Sequence, residues 1–275
     1  MCLYPKLILN KKYTATIKNG GVIPPMTDIR AKMVPIGCGK CMECRTQKAR
    51  DWKVRLLEEI RNEKNHKAYF VTLTFSDEYF TEISDSIDII EGYHADNEIC
   101  RLSVRRWLER IRKKTRKSIK HWLVTEIGGN FSERVHMHGI IWTNDLNLCV
   151  QKWSSMCGDV WVGEYCNEST VTYGVKYFHK IDLKHKEYLP KIFCSPGIGS
   201  NYFDRIDSKM NEFKEDNTRD YYKSRQGYIM SLPIYFRNKL YNDDEKEYLW
   251  MRRLDEQIRR SEEHTSELQS LAYLV

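Results

Sequence analysis

Residues 120–142 constrain the fold more than any other stretch of the chain. They read KHWLVTEIGGNFSERVHMHGIIW. Residues 122–127 are apolar and β-branched and stop at Gly128-Gly129, a strong turn signal. Residues 134–142 alternate before becoming fully apolar. Two such runs so close together predict an antiparallel hairpin. Alternate side chains of a strand share a face, so His136 and His138 point one way and Met137 the other. YFVTLTF at residues 69–75 predicts another buried strand. Trp52, Leu56 and Ile60 recur at helical spacing, which predicts a helix from Thr46. Residues 76–100 read as an acidic loop, after which Ser103 is expected to cap a helix with Val104, Trp107, Leu108 and Ile111 on its apolar face. A further strand is expected within 159–172 and a helix over 173–180. The pattern predicts an α+β fold, a central antiparallel sheet with helices packed on it. Residues 1–37 read as irregular, and no repeat or low-complexity block interrupts the chain.

At 275 residues the chain has room for one or two domains. Hydrophobic residues make up 41% and charged ones 30%, with a mean hydropathy of −0.62, which suits a folded globular chain rather than a disordered one. No apolar run approaches the roughly 20 residues that a membrane span needs, and the N-terminus lacks a signal-peptide profile. A secreted or membrane protein is not expected. The net charge of +7 permits a polyanionic partner. RSEEHTSELQS at residues 260–270 looks like the translation of a sequencing-library adapter, the alternative being a natural polar helix. Residues 260–275 hold one Arg and three Glu, so without them the charge is +9.

The nine cysteines are odd in number, which argues against a disulfide framework. Cys38, Cys41 and Cys44 have C-x2-C-x2-C spacing, and Cys2 completes a set of four. Such spacing suits structural Zn2+. Iron–sulfur ligation and free thiols are the alternatives.

Two neutral imidazoles on one strand face hold a divalent cation and leave positions open for substrate oxygens. Glu126, near the end of the preceding strand, would bring a carboxylate beside His136. Two His and one carboxylate suit Mg2+ or Mn2+ acting on a phosphate. A lone His-x-His in a core strand and a solvated Glu are the plain alternatives. Tyr173 and Tyr177 stand one helical turn apart, as do Lys176 and Lys180. A tyrosine hydroxyl attacks phosphorus when a cation polarises the phosphate, and the lysines suit phosphate contact. The plain reading is a core helix with tyrosines at its rim. Arg105, Arg106, Arg110, Arg112 and Lys113 lie on one basic helix, fit for DNA phosphates or for a solvated face. Trp142, Trp153, Tyr221 and Tyr222 are candidates for base stacking.

Taken in order, YFVTLTF, then TEIGGNFSERVHMHGIIW, then YGVKYFHK resemble the HUH endonuclease superfamily. Within it the chain is most similar to replication initiators of microvirus- and gokushovirus-type single-stranded DNA phages. Cys38-Gly39-Lys40-Cys41-Met42-Glu43-Cys44-Arg45, Arg50-Asp51-Trp52, Arg55 and the Ser195-Pro196-Gly197-Ile198-Gly199 run carry the same resemblance. The resemblance implies a metal-dependent nickase and strand transferase for rolling-circle replication. It would cut single-stranded or supercoiled origin DNA and stay joined to the 5′ phosphate through tyrosine. His136 and His138 would be metal ligands, with Glu126 as third. Tyr173 and Tyr177 would be alternating nucleophiles, and Lys176 and Lys180 their neighbours. Partners would be host helicase and polymerase, in the host cytoplasm, with no membrane. The implied organisation is a cysteine-bearing N-terminal segment (1–50), a nuclease domain (51–190), an extension (191–259) and a non-native tail (260–275). A plasmid initiator, relaxase or transposase of the same superfamily, or a non-catalytic single-stranded nucleic-acid binder, are the alternatives.

Overall fold

A computed structural model describes residues 2–62, 66–87, 92–129, 133–177 and 184–272, the side chains of Lys18 and 264–272 excepted. The chain divides into two compact units, residues 1–44 with 203–275, and residues 45–202. In chain order the elements are β1 (Lys6–Leu9), β2 (Met33–Ile36), α1 (Met42–Ile60), β3 (Ala68–Leu73), α2 (Asp77–Asp85) and α3 (Tyr93–Thr115). Then come β4 (Lys120–Ile127), β5 (Val135–Trp142), α4 (Leu146–Ser154), β6 (Val160–Val162), α5 (Glu168–Lys176) and β7 (Ile192–Cys194). The remainder are α6 (Ile206–Lys209), β8 (Tyr221–Lys223), β9 (Ile229–Ser231), α7 (Ile234–Leu240) and α8 (Asp243–Ala272).

The fold is α+β. Five strands in the order β6-β3-β5-β4-β7 form the sheet of the second unit, every neighbouring pair antiparallel. The expected hairpin is β4–β5, with Glu126 directly opposite His136 and Val124 opposite His138. Directly opposed residues share a face, so this register puts Glu126 on the histidine side. Gly139 lets the hairpin close, because a Cβ there would stand 2.1 Å from the Trp122 carbonyl oxygen.

Period-two alternation gives the sheet two different faces. On one, Val71, Leu73, Leu123, Ile127, Met137 and Ile141 pack against Ile83 of α2 and Ile99, Val104, Trp107 and Ile111 of α3. On the other, Phe70, Trp122, Val124, Ile140 and Trp142 pack against Leu56 and Leu57 of α1 and Val171 and Val175 of α5. Fully burying such a side chain contributes about 1.5–3 kcal/mol, so the covering helices are held by their apolar stripes rather than by propensity.

The helices begin and end elsewhere than local patterning suggests. The stretch 76–100, expected as a loop, contains α2 and the first eight residues of α3. Ser76 caps α2 by accepting from the Tyr79 N–H. Ser103 caps nothing: it lies inside α3, where its hydroxyl donates to the Ile99 carbonyl 2.7 Å away and meets the Tyr79 hydroxyl at 3.1 Å. A buried serine satisfied by the carbonyl one turn back is compatible with a helix interior. The strand expected within 159–172 shrinks to the three residues of β6, because Asn167 caps α5 there.

The first unit holds two antiparallel ribbons, β1–β2 and β8–β9, and the long helix α8. Residues 1–37, expected to be irregular, thus supply a short ribbon joined by 3-10 turns. Residues 260–272 continue α8. Among the described residues no helix is long and apolar enough to cross a membrane.

Candidate active site

The hairpin delivers three metal-ligand atoms to one point. Glu126, His136 and His138 each offer one, and all lie within 4.8 Å of one another. His138 Nε2 stands 3.0 Å from Glu126 Oε2 and 3.0 Å from His136 Nε2. His136 Nε2 is 3.4 Å from the same carboxylate oxygen. The other ring nitrogens are already engaged. His136 Nδ1 faces the Arg134 carbonyl oxygen at 3.3 Å, and His138 Nδ1 faces Thr72 Oγ1 at 2.9 Å.

A carbonyl oxygen only accepts, so His136 carries its proton on Nδ1 and turns the Nε2 lone pair to the cluster. With Thr72 Oγ1 as acceptor, His138 adopts the same tautomer. Two imidazole lone pairs and a carboxylate oxygen then converge, an arrangement that a cation relieves. Burial, the leading cause, holds the His138 pKa below that of an ordinary imidazole against the opposing pull of Glu126, which favours the neutral ligand form. The donor set fits Mg2+ or Mn2+: one hard carboxylate, two imidazoles and room for oxygens.

Helix α5 sets the tyrosines over this cluster. Its start is fixed by the Asn167–Thr170 capping box and by an ion pair between Arg61 and Glu168. Val171 and Val175 anchor it in the core. Tyr177 closes the helix and stacks on His138, with ring centroids 4.8 Å apart and planes within 4°. Tyr173 meets His138 edge-on at 6.1 Å and Tyr177 at 5.5 Å. Lys176 Nζ stands 3.8 Å from the centre of the Tyr173 ring and 5.4 Å from that of Tyr177.

The two phenols are not equivalent. Tyr173 is 42% exposed and Tyr177 only 5%. Burial, then the neighbouring Tyr173 and the Glu126 charge, push the Tyr177 pKa well above the ordinary range. Lys180 lies outside the described residues.

The chain is similar to viral replication-associated proteins. Residues 68–182 match the family model described as Replication-associated protein ORF2. The chain is 29% identical over 202 residues to Replication-associated protein ORF2 of Spiroplasma virus 4, covering 66% of this chain and 60% of the relative. It therefore spans less than two thirds of that relative's length. No solved structure matches. Glu126, His136, His138, Tyr173, Lys176 and Tyr177 all fall inside the matched segment.

The basic residues Arg105, Arg106, Arg110, Arg112 and Lys113 are solvent-facing, but α3 covers the sheet face opposite to the histidines. Arg105 pairs with Glu109, and the Arg112 Nε donates to Ser118. Arg106, Arg110 and Lys113 line a shallow groove shared with Glu82 and Glu109. They are not part of the histidine–tyrosine site. Trp142, Trp153 and Tyr222 are buried and unable to stack on bases; of the four aromatic candidates only Tyr221 reaches solvent.

Sequence reasoning overlooked two contributors. Thr72 orients His138, and its signal was the alternation of YFVTLTF, which puts Phe70 and Thr72 on one face. Arg45 lines a small cavity with Glu126, Tyr177 and Tyr188, and its guanidinium donates to the Tyr188 carbonyl at 3.1 Å. Its signal was only that it follows Cys44 on α1. Thr72→Val removes the acceptor for His138 Nδ1 while keeping the side-chain volume. Loss of such an outer hydrogen bond typically costs ~10–100-fold in metal affinity. Mn2+ titration by calorimetry is expected to show that weakening, with a circular dichroism spectrum matching that of the wild type.

Proposed function

We propose that this chain is a rolling-circle replication initiator of the HUH type. In this reading it nicks single-stranded origin DNA of a phage through Tyr173 or Tyr177 and later rejoins the displaced strand. The single observation that carries the reading is the convergence of Glu126, His136 and His138 beneath two tyrosines. The similarity to replication-associated proteins supports the biological setting. Host helicase and polymerase would then act on the exposed 3′ end, in the host cytoplasm.

Each residue has a distinct task. Glu126, His136 and His138 would hold Mg2+ or Mn2+, which when bound supplies charge to a scissile phosphate oxygen. Tyr173, exposed and beside the Lys176 ammonium, is the group ready to attack an incoming phosphate. Its oxygen bonds to phosphorus, and the P–O3′ bond breaks. The phenolic proton is lost to solvent, and the leaving oxygen gains one to become a 3′ hydroxyl. Tyr177, buried and held protonated, is suited to wait for the second transfer, since a tyrosine already joined to DNA has no hydroxyl left.

The test is covalent capture. Purified protein is incubated with a randomised single-stranded DNA library and Mn2+, then denatured in detergent. A detergent-stable protein–DNA band is expected with Mn2+ and is expected to vanish when EDTA is added first. Absence of any such band with Mn2+ would remove the nuclease reading.

A further inference from the structure

Cys2, Cys38, Cys41 and Cys44 come together in the first unit although Cys2 stands 36 positions before Cys38. Their sulfurs all lie within 4.8 Å of one another, and Cys2 Sγ is 3.7 Å from Cys41 Sγ. A tetrahedral ion with Zn–S bonds of ~2.3 Å has sulfur–sulfur edges of ~3.8 Å. That is far longer than a disulfide bond of ~2.05 Å, and all four cysteines are free.

The backbone around them is arranged to support negative sulfur. The Cys38 N–H and the Tyr4 N–H both donate to Cys2 Sγ at 3.3 Å. The Cys41 N–H donates to Cys38 Sγ, also at 3.3 Å. Gly39 makes that knuckle possible with a left-handed φ of +75°. A Cβ on Gly37 would stand 2.8 Å from Cys44 Sγ, so glycine there leaves the fourth sulfur its place. Amide donors aimed at a ring of sulfurs stabilise thiolates, the form that binds metal.

We propose that these four cysteines bind one structural Zn2+ ion. Four thiolates fill a tetrahedral shell and leave no position for substrate, so the ion acts on folding rather than on DNA. It closes the loop from Cys2 to Cys38 and fixes the N-terminal segment to the first turn of α1. Binding releases the thiol protons to solvent and involves no change of oxidation state.

The test begins with metal analysis of the full chain, purified without added chelator. About one zinc per chain is expected, falling ~10-fold in Cys41→Ser and Cys44→Ser variants. Titrating wild-type thiols with an organomercurial should release zinc in step with the loss of four thiols. Because a serine variant can fold poorly, the wild-type protein is also refolded with Co2+. Intense thiolate-to-cobalt charge-transfer bands and tetrahedral d–d absorption are expected. A chain that carries no metal, that carries one iron in place of zinc, or that yields a peptide disulfide among these cysteines under non-reducing digestion would overturn the assignment.

Discussion

A protein in which both Tyr173 and Tyr177 are replaced by Phe is expected to form no covalent adduct with DNA. Phe keeps the ring that stacks on His138 and the edge contact with Phe70, so the packing of α5 should survive. Only the hydroxyls are removed, and with them the nucleophile. The single variants should differ from each other, because one ring is exposed and the other buried. Tyr177→Phe is expected to nick at nearly the wild-type rate. Tyr173→Phe should retain residual nicking through Tyr177, lower by ~10–100-fold, since a poorly placed nucleophile costs about that much. Neither should complete successive rounds that release unit-length circles. Single-turnover cleavage of a captured oligonucleotide checks the first two points, and a circle-release assay the third.

The second large effect concerns the metal ligands. Replacing both His136 and His138 by Ala is expected to lower nicking ~10³-fold or more, because removing the cation forfeits several kcal/mol of charge stabilisation. Affinity for single-stranded DNA should change little, since phosphate contacts spread over the surface dominate it. Glu126→Gln keeps the shape and removes the negative ligand, so it should weaken Mn2+ binding with less effect on the fold. Fluorescence anisotropy separates binding from cleavage in these variants. A double-alanine protein that cleaves at the wild-type rate would show that the metal site has been assigned to the wrong residues.

The central hairpin was legible because both signals in it are local. Alternation assigns the faces, and Gly128-Gly129 marks the turn. The opposition of Glu126 and His136 follows once the register is set. Helix α3 was half hidden, because its first eight residues mix acidic and polar side chains with single apolar ones, and only packing against the sheet makes Ile99 and Cys100 core residues. Ser103 misled for the same reason: a hydroxyl that caps helices in water finds an internal partner when buried. The unequal burial of the two tyrosines was out of reach of the sequence. Spacing puts both on one side of α5, but the distance from helix to sheet decides which of them the histidine covers. The basic face of α3 was readable as charge, whereas its position behind the sheet depends on which side of each strand α3 packs.

Peptide mapping of the DNA adduct probes the proposed chemistry most directly. Wild-type protein is trapped with Mn2+ and single-stranded DNA within the first turnover. The DNA is digested to a nucleotide remnant, and the modified residue is located by mass spectrometry. The remnant is expected on Tyr173 at the earliest times and on both Tyr173 and Tyr177 after repeated transfers. A remnant on any residue outside this pair, or an adduct that persists in the double Phe variant, would contradict the two-tyrosine site over Glu126, His136 and His138.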